Sequence, residues 1–220
     1  MRRRLRGRQC AALAALAVAA SVTAAVVLPA AAAPRATAAS ALNGTFRIQG
    51  GSYFRMRFPT GGAYFKNPDS RARDKTYTLL SAGTSGGLVT GVYQGQPRRA
   101  FDGRGNSRAG AIVRPQAFAG IRFGLATFPR DPQTRRGVPR PAFTLVGRRI
   151  YGQTTALTAA WNRLYFNQGA PKPGASRSIA IGAYNPATRR YVLSWSSRIS
   201  GGPFNGFTGI WRLTGTFARR

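Results

Sequence analysis

Between residues 207 and 217 the side chains keep a strict two-residue period. Phe207, Gly209, Trp211, Leu213, Gly215 and Phe217 fall on one side; Thr208, Ile210, Arg212, Thr214 and Thr216 fall on the other. Successive side chains of an extended chain point to opposite faces, so this pattern specifies a half-buried β-strand and does not fit a helix. The two glycines on the apolar side leave room for strong bending. The same period recurs at 45–49 and at 53–58, where Phe54, Met56 and Phe58 oppose Arg55 and Arg57. Further strand-like runs lie at 63–65, 76–80, 88–94, 111–114, 117–127, 143–146, 149–151, 156–166, 178–184 and 191–197. Gly, Pro, Asn and Asp separate them, as in 59–62 and in the turn opened by Asn185-Pro186. No run sustains a helical period with caps. Only 156–166 is ambiguous, because Leu157, Ala160, Trp161 and Leu164 sit at helical spacing. The expected fold class is all-β: a single antiparallel β-sandwich or β-barrel-like domain after an N-terminal signal peptide.

That signal is read from three parts. Five arginines stand in the first eight residues, residues 9–34 carry no charge, and 11–27 are almost unbroken Ala, Leu and Val. Small residues then lead to Ala36-Thr37-Ala38. This is the build of a secretory signal peptide. It is expected to span 1–38 and to be cut after Ala38, before a short linker at 39–43 and a β-rich domain at 44–218. A cut nearer Ala33 would leave Pro34 just past the scissile bond. An uncleaved anchor would be long enough, but alanine contributes little transfer energy and Pro29 interrupts its end. Arg2-Arg3 with Leu5 matches a twin-arginine signal only loosely, and Cys10, preceded by Gly7-Arg8-Gln9, does not suit lipidation. The expected destination is secreted, extracellular or cell-envelope associated, with no membrane span once the signal is removed.

Beyond residue 38, 28 lysines and arginines face four acids, Asp69, Asp74, Asp102 and Asp131, a net charge of about +24. This part has no Glu, His or Cys. It therefore has no disulfide and no thiolate metal site, and must be stabilised by a packed core. The same absences remove most catalytic chemistry. The commonest general base is missing, no serine has a His or Glu to activate it, and metal hydrolysis lacks its ligands. Asp69 and Asp74 flank Arg71 and Arg73, which would lower rather than raise a carboxyl pKa, the opposite of what a glycosidase acid needs. Asp102-Gly103-Arg104-Gly105-Asn106 puts a cation where a calcium loop needs an oxygen ligand, so it reads as a turn. The acids are expected to be turn formers and salt-bridge partners. Of the lysines, Lys66 and Lys75 end a polar loop, and Lys172 stands between two prolines, where burial is not expected. Gly-rich segments occur, but none precedes a helix with phosphate-binding spacing. No metal and no cofactor are expected. Only a Tyr/Arg lyase of acidic polysaccharides survives, as a remote enzymatic reading.

Two groups of candidate contact residues remain. The arginine doublets Arg98/Arg99, Arg135/Arg136, Arg148/Arg149 and Arg189/Arg190 flank loops or turns, and a fifth ends the chain at 219–220. They suit anionic cell-envelope or extracellular polymers, while no sequence-specific nucleic-acid motif is present. The segments 161–169 and 201–209 mix aromatics with amides, a combination found in sugar and small-ligand sites. Their candidates are Trp161, Asn162, Asn167, Gln168, Phe204 and Asn205.

Tyr53-Phe54, Thr76-Tyr77-Thr78-Leu79-Leu80, Tyr165-Phe166-Asn167-Gln168-Gly169 and the run Gly202 to Trp211 together resemble exported β-rich proteins of high-GC bacteria, a group with no assigned activity. The resemblance covers most of 43–217 and implies export and a single domain, without a site. The expected function is an exported, non-enzymatic, basic protein that associates with anionic polymers by charge. The alternative is a small-ligand or glycan-binding β module.

Overall fold

The computed structural model describes residues 38–173 and 180–220. The expected signal peptide, apart from its last residue, lies outside them, as do residues 178 and 179 of one expected strand. The alternating segment near the C-terminus forms the longest strand, β14 (Thr208–Arg219), with its odd-numbered residues from 209 to 217 buried. On one side it pairs with β13 (Arg190–Arg198). On the other it pairs with two strands in tandem, β3 (Tyr53–Arg57) along its first half and β2 (Gly44–Ile48) along its second. Between β2 and β3 the chain steps out through Gly50 and Gly51, the latter at φ 87°. The β14 backbone exposed by that step is satisfied locally. Gln49 N donates to Thr214 O at 2.8 Å and Thr214 N donates to Ser52 Oγ at 2.9 Å.

From β13 the sheet continues through β12 (Ala180–Tyr184), β9 (Arg149–Gln153), β8 (Ala142–Val146) and β1 (Ser40–Ala41). Past β2 lies β5 (Gly87–Val89), and β4 (Thr78–Leu79) pairs with β3. All pairings are antiparallel, and the sheet curls into a half-barrel. A second sheet has the order β11 (Leu164–Asn167), β10 (Leu157–Trp161), β7 (Ile121–Thr127), β6 (Gln116–Phe118). Its aromatics pack on the concave side of the first. The Phe54 ring lies 5.6 Å from both Phe118 and Phe123, and Trp211 lies 6.2 Å from Phe123. Trp195 stacks on Trp211, its register partner, at 6.1 Å. The architecture is thus all-β and barrel-like. Burying each such aromatic, in the absence of any disulfide, is worth roughly 1.5–3 kcal/mol.

Sequence periodicity misplaces several boundaries. The expected strand 117–127 is a hairpin, β6–β7, reversed at Ala119 (φ 49°) and Gly120 (φ 79°). The ambiguous 156–166 is also a hairpin, β10–β11, reversed at Asn162 (φ 48°) and Arg163 (φ 62°). Two successive left-handed residues match the right-handed twist of the flanking strands. Arg163 is an unusual residue for such a position. The run 88–94 stops at Val89, because the Gln94 side chain caps a reversal: Val89 N donates to its Oε1 and its Nε2 donates to Gly87 O, both at 2.9 Å. The runs 63–65 and 111–114 contribute only single bridges, Tyr64 to Arg57 and Val113 to Ala82.

Candidate functional site

The six amide and aromatic candidates do not share one site. Asn162 is exposed in the β10–β11 turn, and Asn205 is exposed with its Oδ1 accepting from Gly201 N at 2.8 Å. Asn167 is buried, donating to Thr155 O and accepting from Gly169 N. Trp161, Gln168 and Phe204 do converge, on an apolar cavity of about 30 Å³ between the two sheets. Gln168 is its only polar lining residue, and both ends of its amide are engaged. Trp211 Nε1 donates to Oε1 at 3.1 Å, and Nε2 donates to Asn167 O at 3.0 Å. Trp195 Nε1 donates to the Gln168 carbonyl at 2.8 Å, so one residue satisfies two buried indoles. The Phe204 ring sits 5.1 Å from Trp161, whose Nε1 donates to Phe118 O. A volume of this size holds a water molecule but not a sugar ring.

Asp74, Asp102 and Asp131 are turn formers whose carboxylates are used within their own turns, while the Asp69 carboxylate reaches the distant β6–β7 hairpin. Asp69 accepts from Gly120 N, Asp74 from Thr76, Asp102 from Arg104 N and Asn106, and Asp131 from Gln133 N and Thr134. The Asn106 amide is the main cause holding the Asp102 carboxyl below its usual value, and the Thr76 hydroxyl does the same for Asp74. The expected salt bridges do not form: among the described residues no arginine or lysine lies within ion-pair distance of a carboxylate. A flexible arginine gains little from an exposed pair, whereas nearby backbone amides close the turns of Asp74, Asp102 and Asp131 directly.

Lys172 also departs from expectation. It is partly buried, with Nζ donating to Asn167 O at 2.5 Å and to Asn167 Oδ1 at 3.2 Å. Burial pulls its pKa down to about 8, partly opposed by Asp131. Its ammonium thus meets Asn167, the last residue of β11 and only five positions earlier in the chain.

The eight doublet arginines are all exposed. Arg98 and Arg99 lie in one loop, and Arg135 and Arg136 in another. Arg148 and Arg149 turn between β8 and β9, and Arg189 and Arg190 lead into β13. Strand register assembles a larger group that doublets do not predict. On the outer face of the half-barrel, Arg190, Thr216 and Arg47 are mutual partners across three strands. At the other end, Arg198, Thr208 and Arg57 are partners in the same way. Arg212 and Arg55 lie on the same face between these two rows, and Arg149 lies on it at β9. The sequence signal was alternation itself: these arginines occupy the strand positions opposite the buried residues.

The geometry limits self-repulsion. Each threonine of β14 holds its two arginines two strand widths apart, about 9.6 Å, close to the Debye length of ~10 Å at 0.1 M salt. Thr208 and Thr216 are eight residues apart, so the two rows stand about 27 Å apart at ~3.4 Å per residue. None of the four aspartates is on these strands.

At the β3 end the arginines are fixed by tyrosines. Arg57 Nη2 donates to Tyr64 Oη at 3.0 Å. The Arg55 guanidinium lies 4.2 Å from the centre of the Tyr64 ring and 5.5 Å from that of Tyr53. The hydrogen bond from Arg57 holds the Tyr64 phenol below its ordinary pKa, with the charge of Arg55 acting in the same direction.

Among the described residues no helix is long and apolar enough to cross a membrane. Comparison with protein-family models, with curated proteins and with solved structures finds no match.

Proposed function

We propose that this chain is an exported, non-enzymatic protein of the cell envelope or extracellular medium that associates with anionic polymers through the outer face of its half-barrel. The single observation that carries the reading is the set of seven arginines, Arg47, Arg55, Arg57, Arg149, Arg190, Arg198 and Arg212, on one sheet face that bears no carboxylate. A rigid sheet holds the charges at fixed spacing, so a polyanion gains their summed potential without first ordering a loop. Localisation rests on the N-terminal sequence, and recovery of a secreted form beginning at Ala39 tests it.

The binding test compares two triple variants of equal charge loss on a polygalacturonate column and on isolated envelopes. Changing Arg190, Arg198 and Arg212 to Gln should lower the eluting salt concentration clearly more than changing Arg98, Arg99 and Arg135 to Gln. Equal effects would remove the sheet face from the reading, and salt-insensitive retention would remove charge as its cause.

The small-ligand reading keeps one specific support, the convergence of Trp161, Gln168 and Phe204 on the interior cavity. Phe204 is the half-buried member of the three, beside the buried Trp161 and Gln168. A change in tryptophan fluorescence on adding small aromatic compounds, lost in Phe204→Ala, would favour it.

A further inference from the structure

We infer that Arg55, Arg57 and Tyr64 form a carboxylate subsite on the outer sheet face, and that the polymer it takes is an acidic polysaccharide bearing uronate groups. The inference rests on the polyanion-binding reading above and adds a defined site to it. Register makes the three residues neighbours: Arg55 and Arg57 are alternate residues on one face of β3, about 6.8 Å apart at ~3.4 Å per residue, and Tyr64 bridges to Arg57 on the side away from β14. Arg198 lies in the same row beyond Thr208.

Three features distinguish this cluster from the remaining surface arginines. Arg55 is held by its stacking on Tyr64 beside the Tyr53 ring, and its Nε is buried without a hydrogen-bond partner, so its outer nitrogens remain as its available donors. Arg57 is oriented by the Tyr64 oxygen. Because that oxygen accepts from Arg57, the phenolic hydrogen is free to be donated. A two-oxygen anion at this point would meet two guanidinium groups and one phenol. Their side-chain freedom is already restricted, which reduces the cost of binding.

The surroundings select among anions. One face of Tyr64 is occupied by Arg55, and the Tyr53 ring meets Arg55 and also Tyr77 at 5.6 Å, so no ring here is left open for a nucleobase to stack on both faces. Adjacent outer positions are apolar: Ile210 is the register partner of Arg55, and exposed Leu79 is the partner of Tyr53. The C–H face of a pyranose suits such a surface, whereas a polyphosphate chain, which contains no carbon, brings no apolar face to it.

The test measures affinity for polygalacturonate and for polyphosphate of matched charge, at fixed salt, with the mature full-length domain. Tyr64→Phe keeps the ring and the net charge at neutral pH. It should weaken polygalacturonate binding about five- to tenfold, the loss of one charge-assisted hydrogen bond. Arg57→Gln should weaken it at least about tenfold, against about two- to threefold for the exposed turn variant Arg148→Gln. Both substitutions are near the surface, and an unchanged thermal melt confirms folding. If Tyr64→Phe binds like the native protein and Arg57→Gln matches Arg148→Gln, the subsite is overturned while charge-driven binding stands. An equal Tyr64→Phe loss on polyphosphate overturns the uronate assignment. Failure of the native protein to bind either polymer in a salt-dependent way overturns both readings together.

Discussion

Substituting Gly215 by alanine should destabilise this protein severely, and the reason lies in a close approach between strands. Gly215 pairs with Ile48, and a Cβ added there would fall 1.9 Å from the Arg47 carbonyl oxygen and 3.2 Å from Gln49 N. Its φ of 153° is one that residues with side chains rarely adopt. To reach an ordinary separation of about 3.4 Å, β2 and β14 must part by roughly 1.5 Å. They cannot do so cheaply, because Phe46 and Phe217 are buried across this seam with ring centres 4.7 Å apart. Losing one or two ladder hydrogen bonds at ~1 kcal/mol each, together with overpacking at ~1–3 kcal/mol, gives about 2–5 kcal/mol. In a domain of this size that corresponds to a fall in Tm of roughly 4–20 °C. The control is Gly120→Ala, where φ is also positive but nothing lies within 4 Å. It should cost only ~1–2 kcal/mol of backbone strain. Thermal and urea melts followed by tryptophan fluorescence would compare the two. Equal midpoints, within about 2 °C, would show that the seam relaxes freely and would refute the reasoning.

Gln168→Leu removes the acceptor of Trp211 Nε1 inside the core and should cost about 1–3 kcal/mol, read from urea midpoints. Arg163→Gly places a residue suited to positive φ in the β10–β11 turn and should stabilise by roughly 0.5–1 kcal/mol, read as a raised melting temperature. Lys172, with its folded pKa lowered to about 8, binds fewer protons folded than unfolded between about pH 8 and its unfolded pKa of ~10.4. Stability should therefore rise with pH across that window, and Lys172→Met should flatten the rise. Tyr191 acts in the opposite sense, since burial raises its pKa and deprotonation is favoured only on unfolding. Stability should fall above about pH 10, and Tyr191→Phe should remove that fall. Incubation with polygalacturonate should produce no ultraviolet absorbance from an unsaturated uronate; an increase abolished in Tyr64→Phe would replace binding by lyase chemistry.

The two-residue period was enough to place β14, β13, β2 and β3, and on β14 and β3 to divide the side chains between two faces, because the alternation of faces is a local property of extended backbone. Phe58, which the period groups with Phe54 and Met56, is exposed instead, because β3 ends at Arg57. Net charge, the missing Glu, His and Cys, and the restriction of the acids to loops were equally open to reading, since they are counts and positions. The hairpin reversals at Ala119 and Asn162-Arg163 were not legible. Those residues have no strong preference for positive φ beyond that of asparagine, and the pairing of the flanking strands imposes the turn. The double use of Gln168 by Trp195 and Trp211 depends on segments far apart in the chain. So does the arginine face. Arg47, Arg57, Arg190 and Arg198 are scattered over 152 positions, and only the order β13-β14 with β2 and β3 in tandem brings them onto one surface. Alternation assigns each arginine a side of its own strand, but which strands lie together is set by long-range pairing, by how Trp211 and Phe54 pack against the second sheet and by how Phe46 and Phe217 pack on each other.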